Sequence, residues 1–198
     1  ANKETGLSQH TWARAQGWYA MAILEVLDAL PENYAHRQEL IEMLNKVMKA
    51  TVKYQDKKTG LWYDVMDVKD NRNYLEATAS SMFTYVLLKG SRLGYFDGKL
   101  KEAGLKGYKG ILSNFIKVNP DKTISLTRCC EVSGLGPGVS AKVLKAAPKV
   151  KENKRRDGSF EYYISEPIRD NDGKGVGPFI WASLEMEKMG YDVESLNK

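Results

Sequence analysis

The chain has 198 residues, with 30 lysines and arginines against 25 acidic residues, two histidines, two cysteines and 42% hydrophobic residues. This is enough apolar material for one sizeable core and suits one or two domains. No apolar run comes near the roughly 18 residues of a membrane span, so an integral membrane protein is not expected. Because the two cysteines are adjacent, Cys129 and Cys130, a disulfide scaffold and a multi-cysteine zinc site are excluded.

The net charge of +5 is modest and has one concentration, between Lys142 and Arg156. Nucleic-acid sites usually combine such charge with exposed aromatic rings, and no aromatic residue lies between Phe115 and Phe160. We therefore expect a solvated loop or helix face and no nucleic-acid or membrane partner. Attraction to an anionic ligand is the open alternative.

The sequence predicts five helical segments of two kinds. Three are apolar nearly all round and rich in small residues, namely Trp12 to Leu30, about Glu76 to Leu88 and about Phe179 to Met189. Two are amphipathic, about Tyr34 to Tyr54 and about Leu100 to Ile116. Since a helix without a polar face must be covered on both sides, the alternation predicts an all-α fold. Inner helices are wrapped by outer ones, as in an α/α toroid.

An internal repeat supports this arrangement. The segment Phe83 to Tyr95 aligns without gaps on Phe179 to Tyr191, and a Gly-x-aromatic loop precedes each copy, at Gly60 and at Gly158. Helical-hairpin repeats bury their faces by stacking on neighbours. Five helices form two and a half hairpins, which is an open arc with bare apolar flanks. We therefore expect the chain to be part of a larger polypeptide or to pair with a second chain.

One stretch, near residues 120–135, breaks the helical pattern. The sequence TISLTRCCEV predicts a short strand pair, and a glycine-rich turn from Gly134 to Gly136 follows it. We treat this insertion as part of a single domain that spans residues 1–198. The sequence starts at Ala1 without a charged, apolar targeting segment, which is typical of a mature chain or of a piece of a longer one.

The start of the first helix carries the most informative candidate residues. Arg14 and Trp18 lie one turn apart on one face of an inner helix. A guanidinium suits bidentate capture of a carboxylate, and a tryptophan ring offers a flat apolar platform for a sugar. On spacing alone, a salt-bridged arginine and a core tryptophan explain the pattern equally well.

A series of motifs occurs in a fixed order along almost the whole chain. They are Trp12-x-Arg14-x-x-Gly17-Trp18, Gly60-Leu-Trp62 leading to Asp67, Asn73-Tyr74-Leu75-Glu76-Ala77, Cys130 with Gly134-Leu135-Gly136, and Arg156-Asp157-Gly158-Ser159-Phe160 running to Gly175-Val176-Gly177-Pro178-Phe179. Together they resemble the unsaturated rhamnogalacturonyl hydrolases, glycoside hydrolase family 105. They are similar also to the related unsaturated glucuronyl hydrolases of family 88.

The resemblance implies an (α/α)6 toroid of which this chain is the carboxy-terminal half. It implies hydrolysis of oligosaccharides that carry a 4,5-unsaturated uronic acid at the non-reducing end, such as those that lyases leave from pectin. In the family an Asp protonates the C4–C5 double bond, water adds at C5, and the resulting hemiketal opens and expels the aglycone sugar. This differs from the two-carboxylate mechanism of ordinary glycosidases. No metal or organic cofactor is implied.

The resemblance also implies which residues hold the substrate, an anionic oligosaccharide. Arg14 and Trp18 fall on the positions that contact the unsaturated uronide. His10, Tyr74 and Glu76 are further candidates near the starts of inner helices. A cap or surface role explains His10 as well, and a first-turn charge explains Glu76 as well. The implied location is the cytoplasm or periplasm of a bacterium.

The family's catalytic Asp lies upstream of the Trp-x-Arg segment, so no position of this sequence corresponds to it. Asp28, Asp64 and Asp67 are present, but none matches the motif of that acid. We therefore expect the chain alone to lack the proton donor.

Two other functions are compatible with the helical pattern. One is a non-catalytic helical-repeat module that binds through its concave surface. The other is a toroid enzyme of different chemistry, such as a sugar epimerase or a lyase, which would need histidine or tyrosine pairs in the cleft. The chain has only His10 and His36, and the ordered motifs favour the hydrolase.

Overall fold

The computed structural model describes residue 2 and residues 4–135 and 156–191. In chain order the elements are α1 (Ala13–Ala29), α2 (Arg37–Val52), α3 (Ala77–Arg92), α4 (Gly98–Asn114), β1 (Ile116–Val118), β2 (Ile124–Leu126), β3 (Cys129–Cys130), the single-turn α5 (Phe160–Tyr163), β4 (Ile168–Arg169) and α6 (Gly173–Lys188). None of these helices is both long enough and apolar enough to cross a membrane.

Helix α3 lies at the centre of the molecule. Every residue from Ala77 to Gly90 is buried, with α1 packed on one side, α6 on the other and α4 against it as well. Helix α2 packs on α1 and buries one face only, through Leu44, Met48 and Thr51. The predicted alternation is therefore confirmed, with α1, α3 and α6 as inner helices and α2 and α4 as outer ones.

The two inner helices that flank α3 each expose an apolar edge. These side chains are between 44% and 52% exposed, and they are Tyr19 and Val26 on α1 and Ile180, Trp181 and Leu184 on α6. Among the described residues the inner helices thus form an arc whose two ends are open to solvent.

The sequence repeat corresponds to two equivalent inner helices with the same ending. Gly94 after α3 and Gly190 after α6 both have φ of 77°. The next residue in each case, Tyr95 or Tyr191, donates its N–H to a carbonyl of the last helical turn, at 2.8 and 3.0 Å. A glycine in the left-handed region permits this C-terminal cap, which explains why Gly-Tyr recurs.

The insertion near residues 120–135 forms strands, but its two strands do not pair with each other. Strand β2 pairs with β1, with Ile116 opposite Leu126, and β3 pairs with β4, with Cys129 opposite Arg169. Arg128 lies between β2 and β3 with φ of 64°, so the chain turns there. Gly136 and the basic residues from Lys142 to Arg155 lie outside the described residues.

Helix α6 begins six residues earlier than Phe179, where the sequence predicted its start. The Asp172 side chain accepts a hydrogen bond from Lys174 N at 3.0 Å and so forms an N-cap. The run Gly-Val-Gly-Pro, which indicates a loop by composition, is therefore helical. Position 175 of this helix requires a glycine, because a Cβ there would lie 2.8 Å from Cys129 Sγ.

Helix α4 approaches its neighbours through three glycines spaced three residues apart. A Cβ at Gly104 would lie 2.9 Å from Leu87 Cβ, and one at Gly107 would lie 2.5 Å from Thr84 Oγ1, both on α3. At Gly110 it would overlap the backbone carbonyl oxygen of Thr59. The absence of side chains on this face therefore sets the distance between α3 and α4.

We predict that Gly110→Ala lowers the free energy of unfolding by about 2 kcal/mol, because the obstructing atom belongs to the backbone and cannot rotate away. Urea denaturation followed by circular dichroism measures this. Lys109→Ala, at an exposed position of the same helix, is the control and should change stability by less than about 0.5 kcal/mol. In a helix, alanine is favoured over glycine by roughly 1 kcal/mol. A Gly110→Ala variant that is more stable than the wild type by this amount would contradict the packing argument.

Candidate active site

The starts of the three inner helices meet at strand β3. From α3, Ala77 N donates to Arg128 O at 3.1 Å, and the carboxylate of Glu76 accepts from Cys130 N at 2.8 Å. From α1, the Arg14 guanidinium donates to Cys130 O. Gly175 of α6 lies against Cys129. The elements that carry the predicted site residues are therefore in contact at the amino-terminal ends of the inner helices.

Arg14 is almost fully buried, with 2% of its surface exposed. Its Nη1 donates to Cys130 O at 2.5 Å, its Nη2 lies 3.8 Å from Cys130 Sγ, and its guanidinium carbon lies 4.8 Å from the centre of the Trp12 ring. Its Nε has no hydrogen-bond partner among the described residues. In this arrangement Arg14 fastens β3 to the start of α1, and its predicted contact with a uronide stays a prediction.

Glu76 is the N-cap of α3 and is completely buried. Its two oxygens accept from Thr78 N at 3.0 Å, from Ala79 N at 2.6 Å and from Cys130 N at 2.8 Å. Burial raises the pKa of Glu76, although these hydrogen bonds act in the opposite direction. Both oxygens of the carboxylate thus accept hydrogen bonds from backbone N–H groups. In this structure Glu76 stabilises the start of α3, which is the role that the sequence left open beside substrate binding.

Asp64 is a buried carboxyl group beside this cap. Its Oδ1 accepts from Trp12 Nε1 at 3.0 Å, while its Oδ2 has no hydrogen-bond partner in the described part of the chain. Burial, and next to it the charge of Glu76, raise the pKa of Asp64 to about 8. Asp64 is therefore mostly protonated at neutral pH. Its carboxyl group is fully buried, so solvent and substrate do not reach it in this structure.

Tyr74 lies in the same interior, next to Asp64 and Cys130, and is 9% exposed. Burial and the nearby Asp64 raise the pKa of its hydroxyl far above the usual value. The two neighbouring thiols are also neutral, since burial raises the pKa of Cys129 and of Cys130 to about 11. Asp64, Tyr74 and the two thiols therefore form a polar interior in which these four groups are mostly uncharged at neutral pH.

His10 and Asp67 form an accessible pair just outside the buried cluster. His10 Nδ1 lies 3.4 Å from Asp67 Oδ2, with 30% and 32% of the two side chains exposed. The other oxygen of Asp67 accepts from Thr11 N at 2.9 Å, which fixes the carboxylate at the start of α1. The imidazole is thereby oriented and available to a polar ligand.

Trp18 lies one turn beyond Arg14 and is 45% exposed. The core position that the sequence left as an alternative does not describe Trp18, because nearly half of the residue is exposed to solvent. The structure therefore brings Arg14, Tyr74 and Glu76 together in the interior and leaves His10 and Trp18 as the accessible candidates on or near α1. No group of three His, Cys, Asp or Glu side chains suited to a metal ion occurs among the described residues.

Sequence reasoning did not single out Asp64, because the pattern around it is that of an ordinary loop carboxylate. Its special character comes from burial between α1 and the 73–76 segment. Asp64 O accepts from Ala13 N, and Asp64 N donates to Tyr74 O, both at 2.9 Å. These contacts join residues ten or more positions apart, and local sequence pattern does not specify them.

We predict that the free energy of unfolding of the wild type, relative to that of Asp64→Asn, falls as the pH rises from about 4 to about 8. Over this range the unfolded state releases the Asp64 proton while the folded state keeps it, so deprotonation favours unfolding. Urea denaturation at several pH values measures the difference. Asp70→Asn is the control, because the hydrogen bonds from Arg72 lower the pKa of Asp70 to about 2. The difference in unfolding free energy between the wild type and Asp70→Asn should therefore not change with pH above pH 5. A flat difference for Asp64→Asn would contradict the prediction.

Comparison with known proteins places the chain in a family. A family model described as Glycosyl Hydrolase Family 88 matches residues 1–190. The chain is 34% identical over 190 residues to Protein Atu3128 of Agrobacterium fabrum, which covers 93% of this chain and 75% of that protein. It is 30% identical over 87 residues to the unsaturated rhamnogalacturonyl hydrolase YesR of Bacillus subtilis, covering 44% of this chain and 24% of that protein.

Among solved structures, the chain is similar to a glycoside hydrolase from family 105 of C. acetobutylicum. The two share 46% identity with a TM-score of 0.84, over 95% of this chain and 48% of the other. The chain thus spans about half the length of this solved relative. The helical arc, the motif series and the matched family model agree: the chain belongs to glycosyl hydrolase family 88.

Proposed function

We propose that the chain forms part of an enzyme that releases a 4,5-unsaturated uronic acid from the non-reducing end of an oligosaccharide. The supporting observation is the family match over residues 1–190. A relative named as an unsaturated rhamnogalacturonyl hydrolase points to the same substrate class. In this reaction a proton adds to C4 and water to C5 of the double bond. The hemiketal then opens and the aglycone sugar leaves as an alcohol.

In this proposal the accessible groups near the start of α1 hold the sugar. Trp18 offers a solvent-exposed ring for stacking on the uronide. His10, held by Asp67, offers a hydrogen bond to a hydroxyl or carboxylate. Both groups are exposed without any rearrangement of the chain.

The buried candidates form the framework that supports the proposed site. Arg14 and Glu76 fix β3 against α1 and α3, and Tyr74 lies buried beside Glu76 and Cys130. The family resemblance implies that Arg14 captures the uronide carboxylate, and its buried Nε, which has no hydrogen-bond partner among the described residues, is the donor open to that contact. Arg14→Lys keeps the charge but loses the planar fork, so this variant tests for a bidentate contact.

We further propose that the chain is the carboxy-terminal half of the toroid and that the proton donor comes from the other half. The open apolar edges of α1 and α6 support this, because each has the character of a helix surface that packs on a neighbour. A further segment of a larger polypeptide, or a second chain, would cover both edges.

A chimera tests the proposal. This chain would be joined to the part of the C. acetobutylicum family 105 protein that it does not match, and the ultraviolet absorbance of the conjugated enoate would be followed with an unsaturated rhamnogalacturonan disaccharide. We expect the absorbance to fall with the chimera and to stay constant with the chain alone. A fall with the chain alone would show that it carries its own acid. A folded chimera that attacks no unsaturated uronide would overturn the proposed function.

In the active chimera we predict that Trp18→Ala and His10→Ala each raise KM by roughly tenfold, since each removes a contact worth about 1.4 kcal/mol. Initial rates over a range of disaccharide concentrations measure this. Tyr34→Ala, an exposed aromatic residue after the carboxyl end of α1, is the matched control and should leave KM unchanged. Equal effects of all three variants would contradict a specific role for Trp18 and His10.

A further inference from the structure

A cleft of about 580 Å³ lies between the turn that ends α2 and the loop 63–71. This loop has two faces. Asp64 and Asp67 face the start of α1, as described above, whereas Tyr63, Met66 and Lys69 line the cleft. The cleft is therefore a separate cavity. It lies on the face of the loop 63–71 that is turned away from the candidate active site.

Hydrogen bonds fix both walls of the cleft. On one wall, the Asn73 side chain donates to Val65 O at 2.7 Å and to Val68 O at 2.9 Å. On the other, Gln55 Nε2 donates to Gly60 O at 2.8 Å and to Ala103 O at 2.9 Å. Because both walls are tied to the body of the protein, the cavity is preformed and a ligand need not order it.

The unpaired charges of the cleft are mostly positive. Lys53, Lys57 and Lys69 line it with exposed side chains, and none of their ammonium groups is in an ion pair with another described residue. Of the two lining carboxylates, Asp70 is neutralised by Arg72 at 2.9 Å. Asp56 keeps its negative charge and accepts from the backbone N–H and the hydroxyl of Thr59, both at 2.7 Å, so three lysines face one unpaired carboxylate.

Two tyrosines add apolar surface beside these charges. Tyr54 is 49% exposed and Tyr63 is half-buried, and the side chains of Met66 and Val68 complete the lining. Aromatic faces suit the apolar faces of sugar rings, and free ammonium groups suit their carboxylates. The combination matches a chain of acidic sugars better than an acidic peptide, which has no ring faces to stack.

A second cleft on the same helix shows the contrast. It has a volume of about 620 Å³ and is lined by Asn45, Lys46 and Lys49 among others. There Asn45 donates to Tyr95 O at 2.6 Å, and Lys49 lies 3.8 Å from Asp97. Most of its polar groups are thus satisfied within the protein, and its residues provide matched controls.

We propose that the cleft between residues 53–57 and 63–71 is a second carbohydrate site, which binds a saturated stretch of a linear oligosaccharide bearing carboxylates. The ligand class rests on the proposed function, but the site does not require the unsaturated sugar or the reaction. It would hold an acidic polymer near the candidate active site without occupying it.

The test is titration of the chain with saturated tetragalacturonate, followed by calorimetry at low salt and by the NMR shifts of backbone amides. This ligand has no C4–C5 double bond, so binding is independent of hydration chemistry. We expect shifts in residues 53–57 and 63–71 and affinity that falls as salt rises. The combined variant Lys53→Ala, Lys57→Ala and Lys69→Ala should bind at least tenfold more weakly, and Tyr54→Ala roughly tenfold more weakly.

Lys46→Ala with Lys49→Ala, and separately Tyr34→Ala, should bind as the wild type does. A neutral maltotetraose should not bind. Absence of tetragalacturonate binding, equal loss in the control variants, or tighter binding of an oligoglutamate peptide would each overturn the proposal. If the chimera hydrates the enoate and tetragalacturonate does not bind, only the cleft proposal fails. If tetragalacturonate binds and no unsaturated uronide is attacked, only the proposed function fails.

Discussion

The burial of α3 on all sides from Ala77 to Gly90 is the constraint on which the rest of the structure depends. A helix covered on all sides needs neighbours at every face, and α1, α4 and α6 supply them. Where those neighbours come close, α3 has room only for small side chains. This explains the run of Ala and Ser at its start and the glycines that α4 and α6 place against it. The positions of the other inner helices follow from this one.

Burial of α3 also requires that its polar groups find partners inside the protein. Ser81 donates to Ala77 O at 2.7 Å, and Lys89 binds Glu25 at 3.0 Å and Asp28 at 2.8 Å. Glu76 caps the helix and at the same time holds β3. The Glu76 carboxylate that caps the helix therefore also helps to assemble the amino-terminal ends of the inner helices around β3.

The candidate site divides into a buried framework and an accessible surface. Arg14, Glu76, Tyr74 and Asp64 lie in the framework, where burial suppresses charge on Asp64 and on the thiols. His10 and Trp18 lie on the surface. The loop 63–71 connects the two, and its opposite face lines the lysine-rich cleft. One rigid loop thus contributes both to the framework of the candidate active site and to the proposed carbohydrate cleft.

The sequence by itself determined the number and type of the long helices, their inner or outer position, the repeated Gly-Tyr ending and the family. The helices and their endings depend on residue spacing and on apolar pattern, which are local properties, and the family follows from the resemblance of the ordered motif series. Tertiary structure alone decided that Arg14 is buried and Trp18 exposed, although both lie on one helix face by spacing. It also decided that the strands at 124–126 and 129–130 take different partners, and that Asp64 keeps its proton. Each of these depends on contacts between residues distant in sequence, because burial and the nearest charges are set only when α1, β3 and the loop 63–71 come together.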